Sequence, residues 1–133
     1  MATIRIETLI NAPADQVWDA VRDYGALHTR LVPGFVVDTV LEGDSRTVTF
    51  GNGMVARERI VGLDDEARRF AYGIVSERMT HHSASNQVLP DGEGTCRFIW
   101  IADVLPDTMA QTMDPMMRQG AAILKATAEA AAR

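Results

Sequence analysis

Residues 95–103, TCRFIWIAD, form a short apolar strand that leads through Leu105-Pro106-Asp107 into one long helical pattern ending at Arg133. In this tail, apolar and small residues recur every three or four positions, which is the spacing of one helix face. They are Met109, Met113, Met116, Met117, Gly120, Leu124 and Thr127. Met, Gly, Thr and Ala fill space less tightly than Leu and Phe. The face therefore predicts either a cavity that adapts to a guest or a plain methionine-rich core.

Alternating apolar and polar residues predict a series of short strands before the long helix. The predicted strands cover residues 35–41, 46–50, 54–61, 69–75, 81–89 and 95–103, and tight turns such as 42–45 and 90–94 separate them. Near the start of the chain, Ile4 and Ile6 alternate with Arg5 and Glu7 and predict a first strand. Antiparallel strands followed by one long amphipathic helix favour a sheet wrapped around that helix.

Two short helices are predicted between the first and second strands. Asn11-Ala12-Pro13 opens the first of them, because proline is tolerated in the first turn of a helix. Val17, Trp18 and Val21 form its buried stripe, and residues 26–32 form the second helix. We expect Trp18 to pack against the outer elements of the fold rather than to line a ligand site.

Pro115 lies inside the long helical pattern. A proline within a helix removes one hydrogen bond, and its ring clashes with the turn before it. We therefore expect a kink at Pro115 or a short first helix that ends near Asp114.

Composition and charge exclude several classes of protein. The 133 residues fit one domain, 1–133, with 47% apolar and 23% charged residues. A net charge of −5 without a basic stripe argues against nucleic acid or an anionic membrane as a partner. No stretch approaches the ~20 apolar residues of a membrane span, and the start has no apolar signal core, so we expect a cytoplasmic protein without membrane insertion. The single cysteine, Cys96, excludes an internal disulfide.

Several short motifs and the element order resemble the START-like helix-grip superfamily (SRPBCC type) of polyketide cyclases, dehydrases and lipid-transport proteins. The matching motifs are NAPADQVW at 11–18, VPG at 32–34, ERI at 58–60 before LDD at 63–65, and Trp100 in the strand before the long helix. The resemblance implies an α+β fold: a curved, seven-stranded antiparallel sheet gripping the C-terminal helix, with two short helices between strands 1 and 2. It also implies a cavity between sheet and helix. Members of the superfamily range from enzymes to carriers and receptors, so activity does not follow from the fold.

Glu58 is the most suggestive single residue for chemistry. Alternation turns Arg57 and Arg59 outward and Glu58 inward among apolar neighbours. Desolvation favours the protonated form of an acid in such a place, which suits acid–base catalysis near neutral pH. In the hormone-receptor branch of the superfamily that the chain resembles, a glutamate in a similar Glu-Arg-aliphatic setting faces the ligand. The alternatives are an ion pair with an arginine such as Arg46, or a place at a wet sheet edge.

His81 and His82 do not predict a metal site. Adjacent residues on a strand point to opposite faces, and no third ligand stands at a suitable spacing, so no metal is expected. The pattern turns His82 and Asn86 inward, where they can orient a carbonyl or hydroxyl of a guest or move a proton. The alternative for His82 is a core histidine with its hydrogen bonds satisfied.

The remaining candidate ligand-binding residues follow from the same alternation and from the long helix. Tyr72 offers a hydroxyl on the inward face, and Trp100 offers an aromatic surface for a planar ligand. A pocket of roughly several hundred Å³, as in other small-molecule sites, is expected between helix and sheet. The predicted ligand-binding set is Phe70, Tyr72, Asn86, Phe98, Trp100, Met113, Met117, Gly120 and Leu124.

The favoured function is binding of a hydrophobic or aromatic-polyketide-like small molecule in the cavity. A cyclase or dehydrase would use Glu58 and His82 as acid–base groups, with Tyr72 and Asn86 as hydrogen-bond partners, and would need no cofactor. One alternative is a noncatalytic carrier or sensor of a lipid-like metabolite. Another is an interaction protein that engages a partner through its exposed turns. The sequence leaves open whether the chain is an enzyme and whether it is a monomer or a homodimer.

Overall fold

A computed structural model describes residues 2–133 and shows a curved, seven-stranded antiparallel sheet packed against one long helix. The strands are β1 (Ala2–Ile10), β2 (Val36–Glu42), β3 (Ser45–Phe50), β4 (Val55–Asp64), β5 (Arg69–Val75), β6 (His81–Pro90) and β7 (Cys96–Leu105). Helix α1 (Ala14–Arg22) and a π-helical turn (Leu27–Leu31) lie between β1 and β2, and α2 (Met109–Ala131) closes the chain. This is the α+β helix-grip arrangement that the sequence predicts.

The sheet order is β1-β7-β6-β5-β4-β3-β2, so the two strands that flank the short helices form its edges. Residues that pair across antiparallel strands point to the same face. Along β6, His82, Ala84, Asn86 and Val88 are all buried, whereas His81 is exposed. The predicted alternation is therefore correct, and it brings His82 and Asn86 to the concave side of the sheet.

Helix α1 begins after Pro13 and buries the predicted stripe of Val17, Trp18 and Val21. Trp18 is 6% exposed, and its Nε1–H donates a hydrogen bond of 2.9 Å to Oδ1 of Asp65. This bond ties α1 to the turn between β4 and β5. Trp18 thus belongs to the packing of the fold, as expected.

Helix α2 runs without interruption through Pro115, so the expectation of a separate helix ending near Asp114 is wrong. Proline removes the hydrogen bond to the carbonyl of Gln111. Both Pro115 and Gln111 are exposed, so water can replace that bond. Within residues 2–133, α2 and the other helices lack the combined length and apolar character needed to cross a membrane.

Strand β4 is longer than predicted. The sequence predicts a turn beginning at Gly62, but the strand continues to Asp64. A shift of register between Ile60 and Gly62 accommodates one extra residue, which is how a β-bulge bends a strand without ending it. The bend adds to the curvature of the sheet around α2.

Candidate functional site

A cavity of about 240 Å³ lies between α2 and the concave face of the sheet. This volume is just below the ~300–1,000 Å³ typical of sites for drug-sized ligands, and it is smaller than the sequence led us to expect. Most of the wall is apolar and aromatic. The predicted site residues found on the wall are Glu58, Tyr72, His82, Asn86, Phe98, Trp100, Met113, Met117 and Leu124.

Two predicted residues, Phe70 and Gly120, are not part of the wall. Phe70 is 1% exposed and is stacked between Tyr24 and Tyr72, with ring centroids 5.7 and 5.9 Å away. A Cβ atom at Gly120 would lie only 3.0 Å from Cε2 of Phe35, so the glycine lets that ring pack against α2. Both residues support the wall from behind, a placement that does not favour direct ligand contact.

Sequence reasoning missed the wall residues contributed by the segment between α1 and β2. Leu27, Leu31 and Phe35 line the cavity there. The two leucines lie on a single π-helical turn, which is too short to show a periodic pattern. The motif Val32-Pro33-Gly34 lies next to these residues and is one of the motifs shared with the superfamily. It is the signal in the sequence that could have indicated that this segment lines the cavity.

Glu58 forms a buried ion pair with Arg46, the arginine named above as its alternative partner. Nε of Arg46 donates a hydrogen bond of 2.8 Å to Oε1 of Glu58, and the second guanidinium contact to the same oxygen is 2.7 Å. The two side chains are 4% and 6% exposed. Because both contacts end on Oε1, Oε2 is the carboxylate oxygen left to meet a ligand.

The guanidinium of Arg46 is held on several sides. It donates to the backbone carbonyl of Tyr24 at 3.2 Å, and it lies 5.1 Å from the ring centroid of Phe70 and 5.3 Å from that of Tyr72. Charged hydrogen bonds and cation–π contacts together compensate the removal of its charge from water. The pair therefore presents a fixed carboxylate at the polar end of the cavity.

Tyr72 is held by Trp100. Nε1–H of Trp100 donates to the Tyr72 hydroxyl oxygen at 3.0 Å, which leaves the Tyr72 proton available for donation. On β6, Ala84 pairs with Tyr72 of β5, and Asn86, two residues further on, pairs with Trp100 of β7. The indole therefore reaches Tyr72 diagonally across β6, on the side of the small Ala84. Burial, and then the charge of Glu58, raise the pKa of Tyr72, so its hydroxyl stays protonated at neutral pH.

His82 has a fixed tautomer. Its Nδ1 accepts a hydrogen bond of 2.9 Å from the backbone N–H of Ile74, so the ring proton must be on Nε2. Burial, and secondarily the neighbouring His81, lower the pKa of His82 from 6.5 to about 4. His82 is therefore neutral at pH 7 and acts as a hydrogen-bond donor through Nε2.

The lowered pKa of His82 predicts a pH dependence of stability. The unfolded chain takes up a proton on this residue near pH 6.5, whereas the folded protein does so only near pH 4. The unfolded state binds more protons between these values, so stability falls as the pH is lowered through this range, by up to about 1.4 kcal/mol per pH unit from this group. Denaturant unfolding at several pH values measures this slope. In the variant His82→Asn, the amide oxygen can still accept the Ile74 bond, and stability should fall less steeply as the pH is lowered. An equal dependence on pH in both proteins would contradict the lowered pKa of His82.

Asn86 completes the polar end of the cavity. The residue is 7% exposed, and its Oδ1 is buried without a hydrogen-bond partner among the described residues. Within residues 2–133, no three His, Cys, Asp or Glu side chains lie close enough together to bind a metal ion. The site thus offers to a guest the neutral donors of Tyr72, His82 and the Asn86 amide nitrogen, together with the Glu58 carboxylate.

Comparisons with known proteins agree on the fold. A family model described as polyketide cyclase / dehydrase and lipid transport matches residues 1–129. A protein from Thermobifida fusca, solved by NMR, is 30% identical, with a TM-score of 0.75 over 98% of this chain and 91% of its own. Comparison with curated proteins gives no significant match.

Two further solved structures share the fold at lower identity. The di-domain ARO/CYC BexL from the BE-7585A biosynthetic pathway is 23% identical, with a TM-score of 0.80 over 97% of this chain and 47% of its own. This chain therefore spans about half of BexL. Norcoclaurine synthase from Thalictrum flavum, solved with dopamine and hydroxybenzaldehyde, is 22% identical, with a TM-score of 0.68 over 96% of this chain and 83% of its own.

Proposed function

The chain belongs to the polyketide cyclase / dehydrase and lipid transport family, and from that premise we propose that its cavity binds a small, mainly hydrophobic molecule with an aromatic ring. The observation that carries the proposal is the composition of the cavity wall. Phe98, Trp100 and the methionines of α2 provide an apolar and aromatic surface, while the polar groups gather around Tyr72 and His82. Apolar surface with a few placed polar groups is the usual composition of a small-molecule site.

The related structures support an aromatic ligand. Norcoclaurine synthase was solved with dopamine and hydroxybenzaldehyde, each of which has a single aromatic ring. A single ring suits a cavity of about 240 Å³ better than a molecule of several fused rings. A larger molecule would extend through the mouth, past Met54 and Val55, which are exposed on the rim.

A more specific proposal is that the protein catalyses a cyclase or dehydrase reaction on this ligand. Oε2 of Glu58 would accept a proton from the substrate, while Nε2–H of His82 and the Tyr72 hydroxyl would donate hydrogen bonds to the oxygen on which negative charge develops. His82 acts here as a donor and not as a base, because its Nδ1 already accepts the Ile74 bond. No step in this arrangement needs a cofactor.

A noncatalytic carrier or sensor is the second candidate. The buried Arg46–Glu58 pair favours it, since the carboxylate is already engaged by an arginine inside the fold. In this case the same polar groups only orient the ligand. Native mass spectrometry of the protein purified from its host would identify a retained molecule and so supply the ligand for the following experiment.

Replacement of Glu58 with glutamine discriminates between the two candidates. The amide keeps the shape and can still accept the bond from Arg46, but it cannot exchange a proton at neutral pH. An enzyme would lose nearly all turnover in single-turnover kinetics, while calorimetric affinity stays within a few-fold. A carrier would show no turnover in either protein, and its affinity would change by about 0.5–3 kcal/mol, the range for one hydrogen bond.

The matched control is Glu93→Gln, the same change in an exposed turn. It should leave both measurements unchanged. If Glu58→Gln retained normal turnover and normal affinity, both candidates would lose their support at this residue, and Glu58 would be part of a structural ion pair only.

A further inference from the structure

A second cavity, of about 270 Å³, lies between α1, the π-helical turn and the C-terminal half of α2. Leu31 and Leu124 line both this second cavity and the ligand cavity between α2 and the sheet. The two leucines are 6% and 3% exposed and belong to the hydrophobic core. Their side chains therefore form a partition between the two cavities.

The partition lies at the end of the ligand cavity that is far from its mouth. Val55, on the rim of the mouth, begins β4 beside the end of β5. Strand β7 ends beside the start of β6 and leads into α2, so this helix also begins at the mouth. Leu124 is about 22 Å further along the helix, at 1.5 Å per residue. A ligand that enters past Val55 therefore meets the partition last.

The backbone that carries Leu31 is held in place on two sides. The N–H of Val32 donates a π-type hydrogen bond of 2.9 Å to the carbonyl of Leu27. Arg30, on the same turn, contacts Asp19 of α1 at 2.6 Å. Single π-helical turns are rare and frequently occur at functional sites. This turn fixes Leu31 between the two cavities.

The second cavity suits an apolar group. Ala20 of α1 and Ala128 of α2 leave its space open because their side chains are small. Thr127 donates its hydroxyl to the carbonyl of Ile123 at 2.8 Å, and the charge of Arg30 is compensated by its ion pairs. A longer ligand would therefore reach an apolar space if the partition were absent.

We propose that Leu31 and Leu124 limit the length of the ligand and make the protein selective for compact molecules over long-chain ones. The inference rests on the proposed function and narrows its ligand class to a single ring with a short side chain. Joining the two cavities would roughly double the space, which would bring it into the range of sites for larger ligands. The two leucines are thus specificity residues that act on ligand length.

The test measures the affinity of phenyl alkyl ketones, from propiophenone to octanophenone, by calorimetry at pH 7. These neutral probes carry a ring, a carbonyl that can accept a bond from Tyr72 or His82, and a chain of graded length. In the wild-type protein, affinity should rise by about fourfold for each added methylene group that is buried, and stop rising once the ligand cavity is filled. In Leu31→Ala and in Leu124→Ala the rise should continue, so that octanophenone binds at least about tenfold more tightly than to the wild type.

The matched control is Leu27→Ala, because Leu27 lies on the same turn but lines the ligand cavity and not the second one. This change adds a similar volume without opening the partition, so its gain for octanophenone should be smaller. The double variant Leu31→Ala/Ala128→Leu refills the second cavity. Its gain should fall back to that of Leu27→Ala.

A wild-type affinity that keeps rising up to octanophenone would overturn the inference and leave the proposed function in place. So would partition variants that gain no more than Leu27→Ala. If the wild-type protein bound none of the ketones, the proposed function would lose its support and the inference would fall with it. Removing a buried leucine destabilises a protein, so thermal unfolding identifies the variants that are folded during calorimetry. The milder Leu31→Val should show the same change at a smaller size.

Discussion

Replacing Arg46 with methionine is expected to lower the free energy of unfolding by about 3–5 kcal/mol, because the change leaves the Glu58 carboxylate buried without its partner. The side chains of the pair are 4% and 6% exposed, so water cannot take the place of the guanidinium. Methionine also loses the hydrogen bond to the Tyr24 carbonyl and the contacts with the two aromatic rings. Denaturant unfolding at pH 7 measures the effect.

The double variant Arg46→Met/Glu58→Leu should recover most of this stability. Replacing both members of a buried ion pair with apolar residues is often neutral or stabilising, whereas removing one member is not. Unfolding of the two single variants and the double variant closes a cycle that isolates the coupling between the side chains. A double variant no more stable than Arg46→Met would contradict this account of the pair.

An exposed ion pair in the same protein provides the control. Arg118 contacts Asp114 at 2.6 Å on the surface of α2, with side chains 61% and 39% exposed. Arg118→Met should cost less than about 1 kcal/mol, because water already solvates both charges. The contrast between Arg46 and Arg118 separates burial from the distance between the charges. If both changes had the same effect, burial would not be what makes the Arg46–Glu58 pair important.

Alternation along the strands predicted the face of each site residue correctly. A strand with one buried side has a period of two, and this places Glu58, Tyr72, His82 and Asn86 on the concave side. The period does not show whether an inward side chain lines the cavity or lies behind its wall. Phe70 shares the face with Tyr72 but lies beneath Arg46, because the guanidinium from β3 covers its ring. Whether a residue lines a cavity or lies behind its wall depends on side chains from other strands.

The tautomer of His82 also could not be predicted from the sequence. The pairing of β5 with β6 ends at Tyr72 and Ala84, which leaves the N–H of Ile74 without a backbone partner across the sheet. The His82 ring takes that bond and becomes a fixed donor. The sequence predicts an inward histidine, but its protonation depends on where the two strands separate. The same holds for Asn86, whose Oδ1 is buried without a partner among the described residues because of the side chains packed around it.

Replacing Trp18 with alanine should lower the free energy of unfolding by about 3–5 kcal/mol, as for other buried aromatic residues, and leave ligand binding unchanged. The tryptophan is 6% exposed, packs in the core beside Val17 and Val21 of α1, and contributes nothing to the wall of the cavity. Its loss would leave a void between α1 and the sheet. Denaturant unfolding gives the stability, and calorimetry under folding conditions gives the affinity.

The variant Trp18→Phe separates the two contributions of this residue. Phenylalanine keeps most of the buried ring but cannot donate to Asp65, a carboxylate that also accepts a bond of 2.7 Å from Arg22. A hydrogen bond to a charged group is worth about 1.5–3 kcal/mol, so Trp18→Phe should be less destabilising than Trp18→Ala, which also loses the packing of the ring. Unchanged unfolding of Trp18→Ala together with lost binding would reverse the assignment. Trp18 would then be a ligand contact, and the cavity between α2 and the sheet would extend further than the structure indicates.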